Sequence, residues 1–294
     1  EVDVTNFLKE AIKKKFKIAL PVLQTSNLMC FRSWNTKEPL YINKFGKSKI
    51  ITITNVLAHV DQVNLLVSNV RKLLHKNGIF VIEVPYLFDM LKKGSFDVIY
   101  HEHLSYFSLT PLQHLFKKYN IKIINFEKIN FGASGPALRV FLSKKDSKYE
   151  ISNKVKAQIR NEKIWGIKKI EKYKLFNKKT NIKINKIRKI IYNKYKQGYK
   201  LGCFTAPAKG NTLLNSLKLK KNIVKFTSEN NNKKINKYTP GTHIKIVSDS
   251  DFLKKNIDYA ILLSWNYKKF FLTKSLFKKN GGKFIIPFPT PHIQ

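Results

Sequence analysis

The chain has 294 residues and 34.3 kDa, of which 43% are apolar. That is enough for two domains with cores of their own, and it excludes a chain too polar to fold. No run of about 18 apolar residues occurs, so no membrane-spanning helix is expected.

The formal charge of +39 invites a polyanionic partner. Only five of the 57 basic residues are arginine, the side chain that reads nucleic acid through paired donors. The lysines run along the whole length among abundant Asn and Ile. This reads as a compositional drift with a solvated basic surface, one that would still attract a diphosphate. A nucleic acid is therefore not the expected partner. Cys30 and Cys203 lie far apart without CxxC spacing, so neither a disulfide framework nor a metal site is expected. A reducing cytoplasm is the default compartment.

In chain order, Glu1-Val2-Asp3 reads as the end of a strand with an acid at its tip, and Thr5 or Asn6 caps a helix over 7–15. An acid at the end of the second strand of a Rossmann-like sheet holds ribose hydroxyls, which makes Asp3 a candidate cofactor ligand. The alternative is a helix-capping or surface acid. No G-x-G-x-x-G loop occurs.

Residues 50–54 are β-branched throughout and predict a buried strand. Val63, Leu66, Val67, Val70, Leu73 and Leu74 recur at helical spacing, with Asn77-Gly78 as the expected stop. Residues 79–84 predict a second buried strand. Strand, helix and strand with continuous apolar strands indicate a parallel sheet covered on both faces.

Tyr100-His101-Glu102-His103-Leu104-Ser105-Tyr106-Phe107 packs two imidazoles, a carboxylate and two phenols into eight residues. That is a dense set of groups able to move protons. Thr110, Pro111 and Gln113 predict a capped helix start with a capping box. Residues 121–126 and 137–142 predict two strands joined through Gly132-Ala133-Ser134-Gly135.

Residues 146–197 are basic and mostly helical, read as a connector, with Ile184, Ile187, Ile191 and Tyr195 on one stripe and Gly198 as its end. A second α/β region over 198–294 follows, with strands expected at 200–205, 222–226, 245–247, 258–265 and 282–286 and a helix at 209–217. Lys209, Gly210 and Asn211 stand where that helix begins after a strand. A helix start with a nearby Lys can hold phosphate; the alternative is an ordinary turn with an exposed Lys.

Several runs carry a resemblance. They are Asn55-Val56-Leu57-Ala58-His59-Val60, the run from Tyr100 to Leu109, Leu138-Arg139-Val140, Ala206-Pro207-Ala208-Lys209-Gly210-Asn211-Thr212-Leu213-Leu214-Asn215, Tyr238-Thr239-Pro240-Gly241-Thr242-His243-Ile244 and Gly281-Gly282-Lys283-Phe284. Together they resemble the S-adenosylmethionine-dependent sugar C-methyltransferases, over roughly 50–143 and 198–290. The resemblance implies an α/β fold: a class I (Rossmann-like) methyltransferase sheet over 1–145, then a smaller Rossmann-like α/β domain over 198–294. It implies S-adenosyl-L-methionine as cofactor and a nucleotide sugar as partner. Members look three-part, with zinc-binding cysteines and a glycine-rich donor loop that would lie before Glu1. Zinc enters only with such an upstream domain, and the chain is expected to be a fragment. The alternative is a truncated relative that binds a nucleotide sugar without catalysis.

The chemistry so implied is removal of a proton from the carbon beside a ketone, followed by attack of the enolate on a sulfonium methyl. It needs a base tuned near neutral pH and donors for the enolate oxygen. His103 is the expected base. By resemblance Tyr100, Glu102 and His59 join it: Tyr100 donating to the enolate oxygen or relaying the proton, Glu102 holding hydroxyls or an imidazole. His101 is read as structural. On a helical turn Tyr100 and His103 would share a face. Asn55 and Leu57, at a strand end, are expected to border the methyl donor; the alternative is a capping Asn and a core Leu.

Overall fold

The structure, a computed structural model, describes residues 42–43, 45–132, 135–220 and 222–294. Asp3, the helix expected over 7–15 and Cys30 lie outside these residues. The described residues divide into two compact units, one taking those up to Phe88 and Glu102–Lys168, the other Asp89–His101 and Lys169–Gln294.

The first unit is built on strands β1 (Ser48–Thr54), β2 (Leu74–Pro85), β3 (Ile121–Gly132) and β4 (Gly135–Lys144). Their order in the sheet is β1-β2-β4-β3. β1 and β2 are parallel, joined by the helix Val63–Leu73, while β4 runs antiparallel to both β2 and β3. The apolar runs behave as expected: Ile50, Ile51 and Ile53 are buried, as are Ile79 through Ile82 and Val84. The helix buries Leu66, Val67, Val70 and Leu73.

Among the boundaries that differ from the sequence reading, two concern helix ends. The helix ends at Leu73 and β2 begins at once, so Asn77-Gly78 does not stop a helix but lies inside the strand. Pairing with β1 slips here, from Ser48 opposite Leu74 to Ile50 opposite Ile79. Gly78 is needed for closeness: a Cβ would stand 2.9 Å from the Ser48 carbonyl oxygen and 2.8 Å from Leu74 Cδ1. The second difference is the helix Leu109–Lys117, whose N-cap is Ser108, not Thr110, with no side-chain cap bond of its own. The caps come from afar. The buried Glu162 carboxylate, on the helix Asn153–Trp165, accepts from the backbone N–H of Leu109 at 3.0 Å and of Thr110 at 2.9 Å. With those donors satisfied, the helix begins one residue ahead of Thr110, the residue expected to cap it.

The second unit carries a six-stranded sheet of β5 (Leu201–Phe204), β6 (Val224–Glu229), β7 (Lys245–Ser248), β8 (Tyr259–Leu262), β9 (Lys283–Ile286) and β10 (His292–Ile293). The order is β10-β9-β8-β5-β6-β7, all parallel except β10, a short antiparallel edge strand the sequence reading does not contain. Alternate residues feed two cores. Cys203, Ile261 and Ile285 face a cluster that includes Leu213, Leu217, Ile187 and Ile191. Phe204, Ala260, Leu262, Phe284 and Ile286 face one with Phe252 and Phe277. The long helix Ile170–Lys196 thus covers one face through the stripe read in the sequence, although Tyr195 is exposed. Residues 146–197 divide between the units, the helix Asn153–Trp165 in the first and Ile170–Lys196 in the second. This is an α/β fold, with a mixed sheet followed by a Rossmann-like parallel one.

Candidate active site

In the first unit, β1 ends at Thr54 and the chain turns at Asn55, which takes a left-handed conformation (φ 55°) and donates its N–H to the Glu83 carbonyl at 2.9 Å. A single turn of 3-10 helix, Leu57–His59, follows. Its Ala58 carbonyl accepts from the N–H of Leu104 at 2.8 Å and of Ser105 at 3.2 Å. Those two bonds hold the loop after His103 against the end of β1. The two imidazoles meet edge to face, with ring centroids of His59 and His103 4.8 Å apart and planes at 74°. His103 is 6% exposed and His59 half-buried. Tyr106 also packs against His103, ring centroids 6.1 Å apart.

The run from Tyr100 to Phe107 is a turn followed by irregular chain, so Tyr100 and His103 do not share a helix face. The reason lies in the backbone. The N–H groups of 104 and 105 go to Ala58, and the Phe107 carbonyl takes the Leu87 N–H at 2.9 Å, so these groups do not enter a helical ladder. Glu102 is exposed. Tyr100 packs as part of the second unit, its ring 6.3 Å from that of His101.

Of the residues expected to border a methyl donor, Leu57 is fully buried, so its side chain belongs to the core. Asn55 is not a side-chain cap; the position before the 3-10 turn is Val56, without a cap bond. Its strained backbone sits at the carboxyl end of a parallel strand, where open α/β sheets place ligands.

In the second unit, Lys209, Gly210 and Asn211 occupy the first turn of the helix Ala208–Leu217. The Lys209 ammonium is not at the surface. It is 5% exposed, donates to Asn266 Oδ1, and lies 4.7 Å from the centre of the Trp265 ring. Burial pulls it down to about 8, against the pull of Asp97. Gly210 is where this helix packs on the strand end: a Cβ would meet Leu263 at 3.0 Å. Asp97 is buried, accepts from Trp265 Nε1 at 2.6 Å through Oδ2, and its Oδ1 finds no partner among the described residues. Burial pushes its carboxyl up, partly offset by Lys209 and then by the Trp265 bond. Among the described residues no group of three or more His, Cys, Asp or Glu side chains converges to hold a metal.

Three groups near these positions escaped sequence reasoning. Glu83 (6% exposed) accepts from Arg139 at 2.8 and 3.1 Å, and Arg139 also reaches Glu127 at 3.5 Å, so one arginine ties acids on the two neighbouring strands. A lone acid in the apolar run of β2 was the available signal. Glu162 and the Asp97–Trp265 pair join residues far apart in sequence, with no local pattern to announce them.

Residues 132–289 match the family described as C-methyltransferase C-terminal domain, and residues 14–125 match one described as methyltransferase domain. The C-methyltransferase NovU of Streptomyces niveus is 30% identical over 251 residues, covering 85% of this chain and 59% of that protein. The chain therefore spans less than two thirds of that relative's length. Among solved structures, a SAM-dependent methyltransferase from Anabaena variabilis aligns at 14% identity over 37% of this chain and 54% of that one, with a TM-score of 0.28. A magnesium protoporphyrin IX methyltransferase from Synechocystis PCC 6803 aligns at 10% identity over 33% and 45%, with a TM-score of 0.27. The match over 132–289 takes in more than half of the sequence, and on it the chain belongs to the C-methyltransferase C-terminal domain family.

Proposed function

We propose that this chain acts in an S-adenosylmethionine-dependent C-methyltransferase whose acceptor is a nucleoside-diphosphate 4-keto deoxysugar. Membership of the C-methyltransferase family supports the reaction class. The observation that carries the reading is the His59–His103 ring pair, held at the carboxyl end of β1 by the two bonds to the Ala58 carbonyl.

His103 is the base that takes the proton from the carbon beside the ketone. An imidazole needs little tuning for this at neutral pH. His59 packs against it in a T-shaped pair and limits the angles the ring can take. Tyr100 supplies a hydroxyl for the developing enolate oxygen, and Glu102, exposed to solvent, binds sugar hydroxyls. Asn55 at the strand end borders the methyl donor, which when bound supplies an electrophilic methyl on sulfonium. Asp3 would hold its ribose. Lys209, Gly210 and Asn211, in the first turn of the helix Ala208–Leu217, hold the substrate's diphosphate; the Lys209 ammonium favours the anion through charge, since its hydrogen bond goes to Asn266. The basic surface draws that diphosphate in without a nucleic-acid partner, and the compartment is the cytoplasm. Among the described residues no helix is long and apolar enough to cross a membrane.

The test uses the full-length protein with S-adenosylmethionine and a thymidine-diphosphate 4-keto-6-deoxysugar, following release of S-adenosylhomocysteine. His103→Asn is expected to lower kcat by at least about 100-fold with acceptor binding retained. Absence of methyl transfer by the unaltered enzyme, over a panel of such keto sugars, defeats the proposed acceptor. Full turnover by the variant defeats the role of His103.

A further inference from the structure

The segment Asp89–His101 leaves the first unit, packs into the second, and passes straight on to Glu102 and His103. Within the second unit it is tied at successive points. Lys183 Nζ donates to the carbonyls of Lys93 at 2.8 Å and Gly94 at 3.0 Å. The Phe96 ring is buried edge to face with Phe288, centroids 5.3 Å apart. The Trp265 indole N–H donates to Asp97, and its ring lies 5.1 Å from Phe288. Last, the Thr212 hydroxyl donates to the Ile99 carbonyl at 3.1 Å.

That final carbonyl belongs to the same peptide unit as the Tyr100 nitrogen. A peptide is rigid and planar, so fixing its carbonyl fixes the axis about which Tyr100 turns. The side chain of Ile99 is 42% exposed and anchors little by packing. The Ile99 N–H is held by the Phe96 carbonyl at 3.0 Å, and the side chains that bear on this point are the hydroxyl of Thr212 and, two residues earlier, the indole of Trp265. Both come from segments that follow parallel strands of the second sheet, β5 and β8.

We propose that Thr212, together with Trp265 acting through Asp97, is a positioning residue for Tyr100. The proposal rests on the reading of Tyr100 as a group that serves the methyl-transfer reaction. The run from Ala206 to Asn215 then does more than pack a helix: it sets the approach of a phenol carried by a different stretch of chain.

The experiment compares Thr212→Val, which removes the donor at nearly equal volume, Thr212→Ser, which keeps it, and Trp265→Phe, in the full-length protein. Thermal melting checks that each is folded; Thr212→Val keeps the test open should Trp265→Phe not fold. Two readouts are taken: kcat and KM for methyl transfer, and amide hydrogen exchange over 98–101 against 201–204. Thr212→Val is expected to lower kcat roughly 10- to 100-fold with KM within about twofold. It should speed exchange over 98–101 only, and Thr212→Ser should restore both. Unchanged kcat in a Thr212→Val enzyme with faster exchange overturns the positioning role, and so does unchanged exchange over 98–101. If the unaltered enzyme transfers no methyl group, it is the reading of the reaction that fails, and the exchange arm still decides whether these side chains fix the peptide before Tyr100.

Discussion

The hydroxyl of Tyr86 and the carboxylate of Glu162 meet at 2.6 Å inside the first unit, 76 residues apart in the chain. Glu162 also accepts from the Leu109 N–H and from both the N–H and hydroxyl of Thr110, the last at 2.6 Å. One buried acid thus starts a helix and closes a strand end. Glu162→Ala strands four donors and is expected to cost about 3 kcal/mol, and Glu162→Gln, which keeps an acceptor, about 1 kcal/mol. Denaturant melts that place the two variants level would show that hydrogen bonding to the carboxylate is not what holds the helix start.

Arg139 and Glu83 stand directly opposite on β4 and β2, with Glu83 the more buried partner. Arg139→Leu leaves a buried carboxylate without its cation and is expected to cost about 2 kcal/mol, less than a fully buried pair because the arginine is partly solvated. Adding Glu83→Leu should recover most of that loss. Additive costs in the double variant, measured by urea denaturation, would deny the coupling.

Gly241 has φ 78°, and a Cβ there would fall 2.2 Å from Asn215 Oδ1. The Asn215 amide in turn donates to the Asn211 and Pro240 carbonyls at 2.8 and 3.1 Å. Gly241→Ala is expected to cost about 1–2 kcal/mol from the backbone alone, more while Asn215 is present. In an Asn215→Ala background the same change should cost less. Equal costs in the two backgrounds would place the whole effect in the backbone.

Lys209 gives a pH dependence of known sign. Burial lowers its ammonium from 10.5 to about 8 in the folded chain. Below about pH 8 both states hold the proton and the burial penalty is fully present. Between about 8 and 10.5 the unfolded chain binds the proton more tightly, so stability rises with pH across that window. Lys209→Met should make that rise shallower. It should not abolish it, because Lys183 is lowered to about 8 by burial as well. Parallel slopes for variant and parent between pH 8 and 10 would contradict this.

What the sequence made legible was what depends on neighbours in the chain. β-branched runs such as Ile50–Ile53 form strands because burial on both faces asks nothing further of them. The stripe Ile184, Ile187, Ile191 marked a helix face before its partner was known. Asn77-Gly78 misled because the same dipeptide that ends a helix also relieves crowding where a strand slips register. Thr110-Pro111-x-Gln113 misled because a carboxylate 52 residues away does the capping. At the site, residue types were readable and juxtaposition was not. Nothing local announces that the carbonyl of Ala58 will take two N–H groups from beyond His103.

The covalent path passes between the two units after Phe88, again after His101 and a third time after Lys168. Neither body is therefore a single uninterrupted stretch of gene. Recombination at one breakpoint would deliver an incomplete partner to each side, and a clean exchange of either body demands paired crossovers. The thirteen-residue excursion from Asp89 to His101 must travel with the sheet it packs on, or the descendants inherit mismatched halves.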